Sequence, residues 1–530
     1  MFDGTKGDDA RDLARFGYKQ ELVRTIGSFT AFCTGFAFIS VMTGMFLLFG
    51  ENYGLGGPAA IWAWMAAFGG QLLFAFVFAE LAVRYPLQGS VYNWTKNIAR
   101  HDATAWLAGA SMILALMVST AAVAITMQNV LPYISSVFWI YGNGHGAHDA
   151  TVNGIILGSI MIALTTAICL LGARVRSFVN NLGVTVELLG SSFLIIFFLF
   201  HAHRGLGVAF QTNGTGHGYG DGYLGALLVC VLLGVFTMWG FDTAGSIGEE
   251  TINPRKTSPH AIIRALVASG VFGALLLLTA AMAVKNSHDP NIASGGLAYV
   301  IQSVLGKTGG DVMLGCAAVA VFVCGLANQT GAVNMIFAMS RDNGLPAASR
   351  LARVGKRSRT PVIPPIIVAV VAVAILAFNI DQPSIFLVVS STTVIFALFS
   401  YLLIAGSFAA VRLRGEWHQN DRRYFTLGRL GLPVSLAAAG WAVFTIVDIA
   451  WPRNAIYNPA SPFHWYLKWG GVLFPVVLLL ISFALYWFKQ RGGIGILPEH
   501  AAERAAAPDL PTGTALPGRA AASAVLDPTP

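Results

Sequence analysis

Charge is scarce in this chain. Of its 530 residues only 11% are Asp, Glu, Lys or Arg and 55% are hydrophobic, whereas a soluble globular protein carries about 25% charged residues. A water-soluble globule is excluded, and apolar stretches of membrane-spanning length recur from one end to the other. Cysteine is sparse too. Cys33, Cys169, Cys230, Cys316 and Cys324 all fall inside apolar stretches, which fits small packing residues and excludes a disulfide framework or a metal site. All eleven histidines lie in loops or at helix ends, so no internal imidazole relay is expected, and loop composition accounts for the group His201, His203 and His217. An HExxH pair, a nucleophile elbow and clustered metal ligands are all missing, so nothing points to an enzyme, a metal or a cofactor. The polar first 26 residues hold no secretory signal.

What is present is an integral membrane protein, all α, with twelve expected spans at 27–49, 58–83, 104–132, 153–172, 182–200, 223–247, 265–284, 311–338, 363–380, 384–410, 433–451 and 469–488. Lys and Arg are absent from every one of them. Segments 1–26, 84–103, 173–181, 248–264, 339–362, 411–432 and 489–530 hold 28 of the 33 basic residues, and the alternate loops hold only Arg204, Lys285, Lys307, Arg453 and Lys468. This asymmetry places both termini in the cytoplasm of a multi-pass cell-membrane protein. The net charge of +8 reflects that sidedness and gives no reason to expect nucleic acid; the expected contacts are lipid, a small-molecule substrate and a coupling ion.

Two spans are broken. The sixth carries Gly240, Asp242, Gly245 and Gly248 where the helix should still lie in the membrane. Glycine weakens a helix interior by about 1 kcal/mol relative to alanine, and an intramembrane carboxylate costs roughly 2.5–3.5 kcal/mol on the insertion scale. Both are tolerated together where the backbone lines a protein cavity. The first span carries Gly35 and Gly44 beside Thr34, Ser40 and Thr43. Spans one and six lie five spans apart, and an odd repeat unit inserts with alternating orientation, so paired breaks predict an inverted-repeat transporter. The expected organisation is a cytoplasmic segment 1–26, one five-helix repeat 27–200, an inverted repeat 201–410, helices 11 and 12 in 411–489, and a disordered cytoplasmic tail 490–530.

Three ordered motifs carry a family resemblance. Phe78-Ala79-Glu80-Leu81-Ala82 with Arg84-Tyr85-Pro86 and Gly89-Ser90 follows the second span. Gly240-Phe241-Asp242 through Glu249-Glu250-Thr251 and Asn253-Pro254 covers the sixth. Ser340-Arg341-Asp342-Asn343-Gly344-Leu345-Pro346 follows the eighth. Together they resemble the amino acid–polyamine–organocation superfamily, in particular its amino acid/choline transporter branch with the GABA permeases, over about residues 20–490. The resemblance implies the inverted-repeat fold, with substrate held between helices 1, 3, 6, 8 and 10. Many members carry a Gly-Ser-Gly-like break in helix one; here the matching stretch is Ser40-Val41-Met42-Thr43-Gly44. The resemblance also implies that many members carry lysine at the position matching Glu187, where related transporters bind sodium.

The candidate site follows from unwound backbone. A half-helix starting near Thr43–Gly44 presents N–H groups and a positive dipole end to a carboxylate, while carbonyls at Trp239-Gly240-Phe241 suit an ammonium group. Trp239 or Phe241 either caps the ligand or packs as core. Asp242 either faces the substrate amine or ties the broken helix to a neighbour. Ser40, Ser119, Asn328 and Ser391 lie at binding depth, each also suited to a helix–helix hydrogen bond. Glu187, inside span five with no base available, must be neutral, wet or paired to something that enters; it is the candidate for ion coupling. At the cytoplasmic end, Glu80 and Arg84 stand i,i+4 and Glu249 ends helix six; these form a candidate gate, with ordinary surface pairing as the alternative.

The expected function is a secondary transporter for amino acids or related amines such as GABA, polyamines or choline, working by alternating access with proton coupling. A non-transporting nutrient sensor, an exchanger and a sodium-coupled carrier are the alternatives. A channel would want a ring of filter residues, and a 6+6 carrier would not break spans one and six in register.

Overall fold

The computed structural model describes residues 13–142, 146–216, 222–356, 358–378, 385–417, 423–457 and 464–501. His217 and the tail beyond Ala501 lie outside them. Among the described residues the regular structure is helical, with only isolated β-bridges besides. Ten helical stretches are long and apolar enough to cross a membrane, and two shorter apolar helices, Tyr223–Thr237 and Ile363–Ala377, stand beside them.

The elements needed below are α1 (Ser28–Ile39), α2 (Val41–Gly56), α3 (Ile61–Arg84), α4 (Ser90–Ile98), α5 (Asp102–Ile125), α6 (Ala147–Leu171), α7 (Ala173–Phe200), α8 (Tyr223–Thr237), α9 (Thr243–Ser246), α10 (Pro254–Ala283), α11 (Asn291–Arg341), α12 (Ile363–Ala377), α13 (Ile385–Leu413), α14 (Gly431–Ala450) and α15 (Gly470–Leu485). The α1/α2 pair is the first expected span and α8/α9 the sixth, so both breaks exist as backbone features. Helix α11 is interrupted at Gly296 (φ 58°) and Gly306 (φ 70°), which divide outer helical turns from the long run that ends at Arg341.

Burial separates the helices by role. The α1–α2 stretch is 89% buried over its most apolar window and α5 is similarly enclosed, whereas the α14 and α15 stretches are 28% and 17% buried. An apolar helix that is exposed on most sides is stable in lipid but not in water. The enclosed helices form the core, α2 packing on α11 and α8, α1 on α10 and α7, and α5 on α13, while α14 and α15 lie outside it.

One expectation is corrected here. Residues 490–501, assigned to a disordered tail, are packed against the end of α11 and the N-terminal segment: Leu497 N–H donates to the Arg341 carbonyl (2.8 Å), Gly495 N–H to that of Asp342 (3.0 Å), and Tyr18 and Ala501 form an antiparallel bridge. Ile496 and Tyr18 share a small apolar cluster with Leu13 and Leu87. Ala- and Pro-rich composition begins only after these anchoring residues.

Candidate functional site

Helix one breaks at a single residue. Ser40 sits at φ 32°, ψ 90° between α1 and α2, and its Oγ accepts from the Thr43 N–H at 3.4 Å as an N-cap would. The break is therefore earlier than the Thr43–Gly44 start expected from sequence, and Gly44 lies inside regular α2. Its role is close approach: a Cβ there would overlap the Thr237 side chain of α8.

Glu187 of α7 closes this break. Its Oε1 accepts from Ser40 Oγ (2.9 Å) and from Met42 N–H (3.2 Å), and Ser40 Oγ lies 2.6 Å from Thr43 Oγ1. Glu187 is 1% exposed, and its Oε2 has no partner among the described residues. The α2 N-terminus, where sequence reasoning expected a substrate carboxylate, is thus occupied by a carboxylate of the chain itself. The attraction is the one anticipated, a partial positive helix end for an anion, with a different anion.

Helix six unwinds from Met238 to Asp242. Gly240 has φ 77°, and a Cβ there would overlap the Phe38 ring. Phe38 in turn meets Trp239 edge-to-face at 4.9 Å between centroids. The unwound turn is tied to α13 and α4. Tyr401 OH accepts from Gly240 N–H (2.9 Å) and donates to Asp242 Oδ1 (2.6 Å), while Ser90 Oγ donates to Asp242 Oδ2 (2.7 Å). Both carboxylate oxygens of Asp242 are thus engaged by hydroxyls of neighbouring elements. Phe241 packs with Phe78 and Tyr401 at 5.7 and 5.8 Å, away from Trp239. Replacing Tyr401 by Phe leaves a buried N–H and a buried carboxylate oxygen without their partner, an expected cost of about 1–3 kcal/mol each. Thermal unfolding of the detergent-purified variant checks this, with Phe408→Leu as a control for aromatic packing alone.

Between the two breaks lies a small cavity of about 10 Å³ lined by Phe38, Thr43, Gly44, Ser119, Trp239 and Asn328, among others. Its size is about that needed for one water molecule. Of the ten expected substrate residues, Thr43, Gly44, Ser119, Trp239 and Asn328 meet at this cavity; Ser40 stands behind Thr43, Gly240 adjoins Trp239, and Phe241 and Asp242 point into the α4/α13 side. Asn328 keeps Nδ2 on the Cys324 carbonyl (3.0 Å), and its buried Oδ1 has no partner. Ser391 is not brought to the cavity. Its Oγ takes the Tyr457 hydroxyl at 3.0 Å, so it serves the contact between α13 and the segment after α14.

The end of the bundle at which α3 and the long run of α11 terminate is closed by paired charges. Arg341 holds Glu249 with two bonds of 2.8 and 2.7 Å, and Arg176 holds Glu250 at 3.1 and 2.9 Å. Glu249 also accepts from Gln88 N–H (2.9 Å). The expected Glu80–Arg84 pairing is corrected: Glu80 pairs with Arg412 (2.6 Å) and accepts from Trp417 Nε1 (3.0 Å), while Arg84 lies 4.6 Å over the Trp417 ring. The loop after α13 reaches the Glu80 carboxylate, and spacing along one helix cannot reveal a partner more than three hundred residues away. Asp342 gathers Tyr18, Tyr92 and Lys96 at 2.8, 2.9 and 2.5 Å. Burial lifts the Tyr18 phenol to about 12, so it remains a neutral donor. Burial works against the Lys96 ammonium, but the Asp342 carboxylate and the hydrogen bonds to Asp342 and the Tyr18 hydroxyl outweigh it and raise its pKa. Arg24 completes the layer with bonds to the Gly248 and Thr251 carbonyls (3.1 and 2.8 Å).

Sequence reasoning missed Tyr401, Ser90, Arg341 and Arg176 as partners of residues it singled out. Ser90 and Arg341 lay within quoted motifs; Tyr401 and Arg176 carried no local signal. Among the described residues no group of three or more His, Cys, Asp or Glu forms a metal site.

A layer of paired charges thus stands at one end of a bundle whose two broken helices flank a small cavity. The model of a family described as amino acid permease matches residues 26–496. The chain belongs to the amino acid permease family. Amino-acid permease BAT1 of Arabidopsis thaliana is 29% identical over 473 residues, covering 84% of this chain and 89% of that protein. Amino-acid permease 2 of Neurospora crassa is 25% identical, covering 92% and 88%. The GABA-specific permease of Saccharomyces cerevisiae is 25% identical over 375 residues, 67% of this chain and 63% of that one. This permease is a multi-pass membrane protein and an amino acid transporter, and both breaks, the cavity and the Arg341–Glu249 and Arg176–Glu250 pairs lie within the matched residues.

Proposed function

We propose that this permease is a proton-coupled secondary transporter of amino acids or related amines such as GABA, polyamines or choline, working by alternating access in the cell membrane with both termini cytoplasmic. The twelve-helix, 5+5 inverted-repeat reading is supported by the packing: α3 lies on α10, a pair that the repeat maps onto itself, and α5 on α13 and α11 on α7, two pairs that it exchanges. The closed inner layer supports an outward-facing or occluded stage of the cycle.

The observation that carries the coupling proposal is the chain Glu187–Ser40–Thr43. A hydroxyl has one proton to donate. When Glu187 is ionised, Ser40 spends its proton on Oε1, so Thr43 must donate to Ser40. When Glu187 takes a proton, it can donate to Ser40 instead, Ser40 to Thr43, and the Thr43 hydroxyl is released to donate into the cavity. Protonation at a site behind the wall is thereby converted into a new donor for a substrate carboxylate, and proton and substrate bind cooperatively. The cooperativity is reciprocal, since linkage requires that each ligand favour the other equally.

Uptake into proteoliposomes under an imposed pH or sodium gradient, with amino acids, GABA, polyamines and choline in turn, tests the function. Glu187→Gln places a permanent donor at the chain's end, so uptake should lose its dependence on the pH gradient while exchange persists. An unchanged pH dependence in Glu187→Gln would refute the coupling role, and sodium-driven uptake in the wild type would replace it with the alternative ion.

A further inference from the structure

A second, larger cavity of about 410 Å³ lies at the far end of α2 from the Ser40 break, walled by α2, α5, α6 and the interrupted start of α11. That volume is in the range of small-molecule sites, roughly 300–1,000 Å³, while the central cavity is far smaller. The two are in series along one helix: Thr43 and Gly44 line the central cavity, and Phe46, Leu47 and Glu51 line the outer one. Glu51 is the only carboxylate among the residues lining the outer cavity, which include no Lys or Arg, and no hydrogen bond or ion pair reaches it among the described residues. The neighbouring polar groups are already committed. Gln128 accepts from Asn153 (2.7 Å), Asn129 donates to the Phe46 carbonyl (3.2 Å), and Lys307 is held by the Tyr133 and Ile134 carbonyls (2.7 and 2.9 Å) and by Asp311 (3.0 Å).

We propose that this outer cavity is a second recognition site, in which Glu51 receives the ammonium group of the arriving substrate before it passes along α2 to the central cavity. The inference rests on the transport reading above and extends it to substrate class. A single carboxylate, exposed in a concave wall that holds no cation, concentrates cations, and Trp139 and Tyr133, which line the same cavity, are ring types that favour ammonium. Cationic amines and amino acids whose amine stands clear of their carboxylate are favoured at this site, and dicarboxylic amino acids are turned away by the same charge.

Two measurements on the full chain test it. The first places a cysteine in the cavity wall by Ser294→Cys, in a Cys316→Ala background because Cys316 is the one native cysteine that is not buried. It compares modification rates in intact cells by cationic and anionic methanethiosulfonate reagents. Adding Glu51→Gln should lower the cationic-to-anionic rate ratio about tenfold, and Glu51→Asp should keep it. The second follows uptake of whichever of GABA, L-alanine and L-arginine the wild type accumulates. Glu51→Gln should raise KM severalfold with kcat unchanged, and the KM for Glu51→Asp should stay near that of the wild type. A rate ratio that does not move overturns the proposal, as does a ratio that falls without any change in KM. If the wild type accumulates none of the three, nor any other amino acid, polyamine or choline, the transport reading fails by itself, and the rate ratio still decides whether Glu51 gathers cations there.

Discussion

Arg341→Ala is expected to destabilise the protein by about 3–5 kcal/mol, because it leaves the Glu249 carboxylate buried without its cation. The pair is nearly free of solvent, with side chains 3% and 1% exposed. Arg341 also lies over the Tyr18 ring at 4.3 Å and the Phe337 ring at 5.1 Å, so the truncation also removes packing from the N-terminal segment and helix α11. Loss of thermal stability in detergent should be accompanied by loss of the inner seal, read as labelling of a cysteine at Ser246 by a cytoplasmic thiol reagent. Arg341→Lys separates the two effects. It keeps the charge but loses the two-bond geometry that a guanidinium provides, so it should recover much of the stability while the seal remains leaky. An Arg341→Ala protein as stable as the wild type would remove the pair from any account of the gate.

Gly240→Leu is expected to abolish uptake. A left-handed conformation costs an L-residue about 1–2 kcal/mol, and forcing a side chain into the Phe38 ring adds about 1–3 kcal/mol of overpacking. Phe38 cannot yield freely, since it also packs edge-to-face on Trp239 and both rings line the cavity. The cost therefore falls on the cavity itself, and substrate affinity should collapse along with rate. Gly69→Leu is the matched control: nothing lies within 4 Å of a Cβ at Gly69, and uptake by that variant should be that of the wild type. Retained affinity in Gly240→Leu would move the substrate site away from the helix-six break.

Both predictions concern residues that sequence reasoning singled out or quoted, yet their partners came from elsewhere in the chain. Glu249 was legible as a gate candidate because an acid ending an apolar helix needs a cation, but which arginine supplies it was not. Gly240 was legible as a break, while the ring that makes it indispensable was not. Asp242 shows the limit most clearly. Its burial in an apolar span demanded a compensating partner, and substrate amine and neighbouring helix were equal solutions; the structure places the Tyr401 and Ser90 hydroxyls on its two oxygens. Ser391 shows the converse, a polar residue at plausible depth whose hydroxyl turns to Tyr457 instead of the cavity.

The sequence by itself determined that this chain lives in a membrane, where its apolar helices run, that helices one and six are interrupted, and that Glu187 is an acid with no base inside the spans. Those are properties of composition and of backbone cost, which act within a few residues and leave their mark locally. Only the tertiary structure decided that the break in helix one falls at Ser40, that Glu187 already occupies the donors there, and that Thr43 connects it to the cavity. Those facts join residues 147 apart for Glu187 and Ser40, 159 for Asp242 and Tyr401, and 92 for Glu249 and Arg341. A buried polar group imposes the need for a partner without specifying which, and the choice is made by the packing that brings distant helices within hydrogen-bond reach.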